Sequence, residues 1–171
     1  MAGSLIKIDE EIVSGAVASV TLTGIDSTYD VYILKFNNIK VGTDTAQVRF
    51  RVVTGGSPDT SANYDRAHLV PRTAAVFANV NTQNGTFWIY NEGGTATGEV
   101  LNGIMYLFNF SNASEYCYYT LESSERISST ELQGIAGGGV HTVAQACEGI
   151  KMLVSSGNIT AGSLVLYGLS K

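Results

Sequence analysis

Between Tyr29 and Val53 the chain carries two runs of alternating apolar and polar residues, separated by a stretch rich in turn formers. In the first run Tyr32, Leu34 and Phe36 fall on one side and Val31 and Ile33 on the other, because successive side chains of an extended strand point to opposite faces. In the second run Val48, Phe50 and Val52 share one side, with Gln47, Arg49 and Arg51 opposite, as in a strand with one dry and one wet face. Asn37-Asn38 and Gly42-Thr43-Asp44 lie between them and tolerate positive φ or bond their own backbone. The pattern predicts a long antiparallel hairpin on which the rest of the chain packs.

The remaining runs extend the β reading. Leu5, Ile6 and Ile8 predict a short strand ended by Asp9, Glu10 and Glu11, and residues 13 to 22 a second, with Val20 and Leu22 on one face. Thr54-Gly55-Gly56-Ser57-Pro58-Asp59 is the strongest turn signal and opens a surface loop. Tyr64 to Val70 reads as a strand with Arg66 and His68 on one side, Arg72 to Asn79 as strand or one helical turn, and Phe87 to Tyr90 as an aromatic strand expected in the core. Gly98 to Phe110 places Ile104, Tyr106, Phe108 and Phe110 on one face and Met105 and Leu107 on the other, and reverses through Asn112 into Tyr116 to Leu121 as a second hairpin. Ser128 to Gly134 is expected as a strand, Ile135 to Gly139 as a loosened glycine segment, residues 143 to 154 as extended chain, and Ser163 to Leu169 as the terminal strand. About ten strands without a βαβ rhythm predict an all-β, single-domain antiparallel sandwich, jelly-roll-like.

Composition changes this picture mainly by exclusion. A length of 171 residues suits one domain. The net charge of −5, with ten Lys and Arg scattered along the chain, argues against a nucleic-acid partner, because phosphate recognition needs clustered cations. The first residues, MAGSLIKIDEEIV, have neither the basic start nor the apolar run of a signal peptide, and nothing approaches the roughly 20 apolar residues of a membrane helix. A soluble protein made in the cytoplasm, without membrane association, is the expectation.

Candidate chemistry is sparse. His68 and His141 are the two histidines, and neither has a second His or a Cys at ligand spacing. Cys117 and Cys147 are expected as buried free thiols, with a single disulfide left open by their spacing. A Cys117 and His141 nucleophile pair would need the fold to join them, and no third, orienting residue is legible. The run Gly134-Ile135-Ala136-Gly137-Gly138-Gly139 is followed by Val140-His141-Thr142, where a phosphate loop needs Lys-Ser or Lys-Thr, so a loop or bulge is expected there. Asp26, Asp30, Asp59 and Asp65 lack a calcium-loop pattern and read as solvated or turn-capping carboxylates. No catalytic residue, metal or cofactor is expected. Among Trp88, Tyr90, Tyr116, Tyr118 and Tyr119, alternation sends Tyr116 and Tyr118 one way and Tyr119 the other, so one set should be core and the other an interface or glycan platform.

The C-terminal run from Lys151 to Leu169, with its Ser155-Ser156-Gly157-Asn158-Ile159 turn and Leu166-Tyr167-Gly168 strand, resembles the ending of virion structural proteins of tailed, especially marine, bacteriophages. Tyr29-Asp30-Val31-Tyr32, Asn37-Asn38, Thr43-Asp44, Arg49-Phe50-Arg51 and Asn63-Tyr64-Asp65-Arg66-Ala67 extend the resemblance over nearly the whole chain. It implies a particle component without catalytic residues, either capsid-decorating or tail-associated, whose partners are other virion proteins and further copies of itself. A trimer is the expected oligomer, and a receptor- or glycan-binding module of a tail appendage is the alternative. The expected interaction surfaces are Leu5, Ile6 and Ile8 in an N-terminal arm over residues 1 to 10, the aromatic residues Trp88, Tyr116 and Tyr118, and Val165 and Tyr167 of a terminal strand that is apolar on both faces.

Overall fold

The computed structural model describes residues 4–74, 77–127 and 131–170. Thirteen strands make up the described regular structure: β1 (Leu5–Val13), β2 (Ser19–Thr23), β3 (Val31–Val41), β4 (Ala46–Thr54), β5 (Ser57–Pro58), β6 (Tyr64–Val70), β7 (Ala78–Gly85), β8 (Trp88–Gly93), β9 (Leu101–Phe108), β10 (Cys117–Arg126), β11 (Leu132–His141), β12 (Gly149–Val154) and β13 (Ile159–Leu169). They form two antiparallel sheets. The larger runs β1-β13-β3-β9-β10-β11-β6-β7, and the smaller β2-β12-β4-β5, with β8 also paired to β4. One apolar cluster joins them, with Leu34, Phe36, Met105, Leu107 and Leu166 from the larger sheet meeting Leu22, Phe50, Val52 and Met152 from the smaller. The all-β sandwich read from the alternation is therefore the fold. Its first and last strands lie side by side, while the β9-β10-β11 meander departs from a plain jelly roll.

The organising hairpin is not a hairpin. β3 pairs with β13 and β9 in one sheet, whereas β4 pairs with β12, β8 and β5 in the other. The two strands face each other across the core, with the Phe36 and Phe50 rings 5.8 Å apart. Their facing is as the alternation predicts: Tyr32, Leu34, Phe36, Val48, Phe50 and Val52 are all buried. Pairing side by side would leave both dry faces on one surface of one ribbon; arching buries each against the other. The crossing is fixed by backbone bonds to both layers, Gly42 N–H to Asn158 O at 2.8 Å and Thr45 N–H to Gly93 O at 2.9 Å. Asn38 and Thr45 take positive φ, 53° and 60°, to make the bends.

The second hairpin is real. β9 and β10 pair with Tyr118 opposite Phe108 and Glu122 opposite Ile104, and Asn109 turns the corner at φ 61°. Three other expectations are corrected. β1 runs past Asp9, Glu10 and Glu11 to Val13, since the Asp9 carboxylate accepts the Thr23 N–H at 2.8 Å and ties this edge to β2. Ile135 to Gly139 is neither loop nor bulge but the middle of β11, in unbroken register with β10. A Cβ at Gly139 would lie 2.5 Å from the Tyr119 ring and one at Gly137 2.8 Å from the His68 ring, so two inward aromatics occupy the space that side chains there would need. Finally, Arg72 to Asn79 forms no single element: Arg72 makes an isolated bridge to Gln133, and β7 begins at Ala78, with residues 75 and 76 outside the described residues. The expected strand at Ser128 to Gly134 falls partly outside them too, and the described strand begins at Leu132.

Candidate functional site

The larger sheet has one face in the core and one face free, and strand register decides which side chains share the free face. Across its middle, Tyr167 lies opposite Ile33, Ile33 opposite Tyr106, Tyr106 opposite Thr120, Thr120 opposite Gly138, and Gly138 opposite Ala67. A second row runs Val31, Phe108, Tyr118, Val140, Asp65. A third runs Glu10, Val165, Lys35, Ile104, Glu122. Ile104, Tyr106, Tyr116 and Tyr118 are exposed, each by about two fifths of its surface (37%, 40%, 43% and 44%). Contiguous exposed apolar surface of this kind marks interaction sites.

Small residues shape a trough in this face. Thr120, Gly138 and Ala67 form a low row, bounded by Phe108 and Tyr118 on one side and by Asn81 and Gln83 of β7 on the other. The trough encloses about 560 Å³. Asp65 stands at one end, its carboxylate accepting the Asn84 N–H at 2.7 Å. An aromatic wall facing amides and a carboxylate over an open floor can hold a flat, partly polar ligand by ring stacking and directed hydrogen bonds.

The residues expected at an interface separate in the fold. Tyr118, Tyr116 and Tyr167 remain accessible, Tyr118 and Tyr167 on the outer face. Val165 points the same way but is only 8% exposed, beside Lys35 and Glu10 in its own sheet. Trp88 is misplaced as a surface residue: it is 1% exposed, its ring edge-on to Tyr64 at 5.2 Å and its Nε1–H donating to the Val140 carbonyl at 3.2 Å. Leu5 and Ile6 are exposed, but they belong to β1, paired with β13 over its full length, and Ile8 packs against the core. What this segment offers a partner is therefore a sheet edge.

The polar interior is assembled from groups the sequence left scattered. His141 Nε2 lies 2.9 Å from Asp59 Oδ2, which also accepts from Gln145 Nε2 at 3.3 Å. Cys117 stands opposite His141 in the β10–β11 register, so the fold does join Cys, His and Asp. His141 Nδ1 nevertheless has no hydrogen-bond partner, and the Cys117 sulfur lies 2.9 Å from Cys147 instead. Both sulfurs are free thiols and buried. Burial, together with the Arg66 guanidinium, holds the His68 imidazole down at about 4, and its Nε2 lies 2.8 Å from the Tyr119 hydroxyl. Glu125, also buried, accepts from Tyr90, Asn91, Ser123 and Gln133 Nε2, and desolvation pushes its carboxyl up to about 7. Asp26 accepts from Thr28 N–H and Tyr32 O–H, and these bonds hold its pKa below the ordinary value. Among the described residues no three His, Cys, Asp or Glu side chains converge as a metal site.

Ile104, Tyr106 and Phe108 belong to the outer face but were read only as one side of a strand. The signal was present, since Gly98 to Phe110 is apolar on both faces, and a two-layer sandwich covers only one. Asn81 and Gln83 carry no signal, because ANVNTQNG has almost no apolar contrast. A comparison with known protein families finds no matching family model, and a comparison with curated proteins finds no match.

Proposed function

We propose that this chain is a structural protein of a bacteriophage particle, capsid-decorating or tail-associated, which works by docking and self-association through the outer face of its larger sheet and not by catalysis. The carrying observation is the contiguous exposed group Ile104, Tyr106 and Tyr118 on a face that no other element of the described chain covers. The resemblance of the terminal strand and of the Tyr29 to Arg51 region to phage virion proteins supports the same reading. Further copies of the chain are the favoured occupant, in closed symmetry, because an aromatic face of this breadth left uncovered promotes open-ended association. Light scattering at micromolar concentration should give about three times the 18.1 kDa chain mass. Tyr106→Asp, which changes an exposed position, should leave a folded monomer. A monodisperse monomer of the unmodified chain would remove self-association, and particles purified without the protein would remove the virion role.

A second reading, a glycan-binding module, is favoured by the trough between Tyr118 and Asn81. Stacking of sugar rings on Tyr118 is its central requirement. Binding to a panel of host-surface glycans that Tyr118→Ala abolishes, without loss of oligomer mass, would select this reading over the first.

A further inference from the structure

Two thiols that the chain separates by 29 intervening residues meet at the seam between the sheets. Cys117 opens β10 in the larger sheet, and Cys147 lies just ahead of β12 in the smaller one. Their sulfurs are 2.9 Å apart, at 0% and 1% exposure. The approach is held from the backbone: Cys147 N–H donates to Phe110 O at 2.6 Å, and the adjoining Glu148 N–H to Val53 O at 2.9 Å. Each sulfur also lies 3.8 Å from the Gln145 carbonyl. His141, opposite Cys117, is turned toward Asp59, so each thiol has the other as its nearest chemical partner.

We infer that Cys117 and Cys147 form a reversible disulfide site, reduced where thiols are kept reduced and closing into a staple between the two sheets in oxidising surroundings. The oxidant it requires is a low-molecular-weight disulfide such as oxidised glutathione. One cysteine thiolate attacks a glutathione sulfur, expelling one glutathione thiolate and leaving a mixed disulfide. The second cysteine thiolate then attacks the protein sulfur of that mixed disulfide and expels the other. Two protein S–H bonds are exchanged for one S–S bond, one oxidised glutathione becomes two thiols, and the released thiolates take up the two protons. The hydrogen bond with the Cys117 thiol, and then burial, raise the Cys147 thiol, so attack proceeds through local opening of the segment between β11 and β12. The reaction is accordingly slow in the closed fold and favourable at equilibrium.

The test equilibrates the reduced full chain in glutathione buffers of graded ratio, with urea below the unfolding transition to speed opening. After acid quenching, the expected product is a monomer two hydrogens lighter, with no free thiol and one peptide joining Cys117 to Cys147. Closing a ring of about 30 residues should raise the melting temperature by about 10 °C, and oxidation should be favoured on the order of 100-fold more in the folded than in the urea-unfolded chain. Cys147→Ala should give a glutathione adduct on Cys117 and no gain in melting temperature. Two free thiols, or glutathione adducts, on unmodified protein that keeps its native near-ultraviolet dichroism would overturn the inference. So would a disulfide that forms equally readily in the unfolded chain.

Discussion

The β3–β4 arch and the β9–β10 hairpin carry nearly the same local signature and solve opposite problems. Each has two alternating strands and an Asn at positive φ, Asn38 in one and Asn109 in the other. In the arch the dry faces look at each other across the core, and Phe36 meets Phe50. In the hairpin both strands lie in one sheet, so Met105, Leu107, Tyr119 and Leu121 face the core together while Ile104, Tyr106 and Tyr118 face outward together. Alternation specifies which way a side chain points relative to its own strand; it carries no information about which strand lies beside it. The arch therefore builds the core, and the hairpin builds both core and the candidate binding face.

The largest effect expected from this comparison is on stability. Phe50→Ala, on the inner side of the arch, should cost about 3–5 kcal/mol in denaturant melts, against under about 1 kcal/mol for Gln47→Ala on its outer side. Equal costs would break the assigned facing. The exposed Tyr106 of the hairpin supplies the contrast, since its truncation to Ala should cost monomer stability no more than Gln47→Ala does.

Next in size is a pH effect that starts in the hairpin, at Glu125, and is opposed by His68 on the neighbouring β6. The arch presents apolar residues inward from Val48 to Val52, whereas β10 ends its inner row on Glu125. Desolvation raises that carboxyl to about 7, above its unfolded value near 4.5, so the folded state binds the proton more tightly. Its contribution is fully present below pH 4.5 and is lost as pH rises toward 7, by about 3 kcal/mol. His68 acts in the opposite sense. Its pKa is depressed to about 4, so its stabilising contribution is present above about 6.5 and lost as pH falls toward 4. Between about pH 4.5 and 6.5 the two slopes oppose each other, and the unmodified protein should show a shallow profile from this pair. Glu125→Gln should uncover the histidine slope, with stability relative to the unmodified chain improving as pH rises. A difference profile flat from pH 4 to 7 would show that Glu125 titrates normally.

The smallest effect tests the arch itself. A double-mutant cycle between Phe36 and Phe50 should give a coupling of about 0.5–1.5 kcal/mol, as expected for an aromatic pair in contact. Additivity within error would separate the rings and with them the two strands.

Much of the architecture was readable from the chain. Tyr64–Val70 has the predicted bounds, and its Arg66 and His68 share one side as their spacing requires. Val20 with Leu22, and Tyr119 against Tyr118, fall on the sides their period-two spacing requires. β7 escaped notice because ANVNTQNG offers almost no apolar contrast; it is a strand because β6 supplies the ladder. Trp88 reads both as core, on its aromatic strand, and as a candidate surface residue, because aromatic clusters look alike whether buried or exposed; its place on β8, against Tyr64 and Tyr119, puts it inside. The platform of Ala67, Gly138 and Thr120 was invisible for a related reason: the three residues are far apart in sequence and adjacent only across three strands.

By itself the sequence determined that this protein is an all-β sandwich and, over most of its strands, which residues look inward, because facing is a local consequence of backbone geometry and apolar burial. Only the tertiary structure decided that β3 and β4 part company, that Cys117 reaches Cys147, and that Tyr118 comes to border a trough floored by glycine and alanine. Pairing partners are chosen by competition among all exposed strand edges for the arrangement that buries both dry faces and satisfies every backbone group at once, and that choice is not written in any one segment.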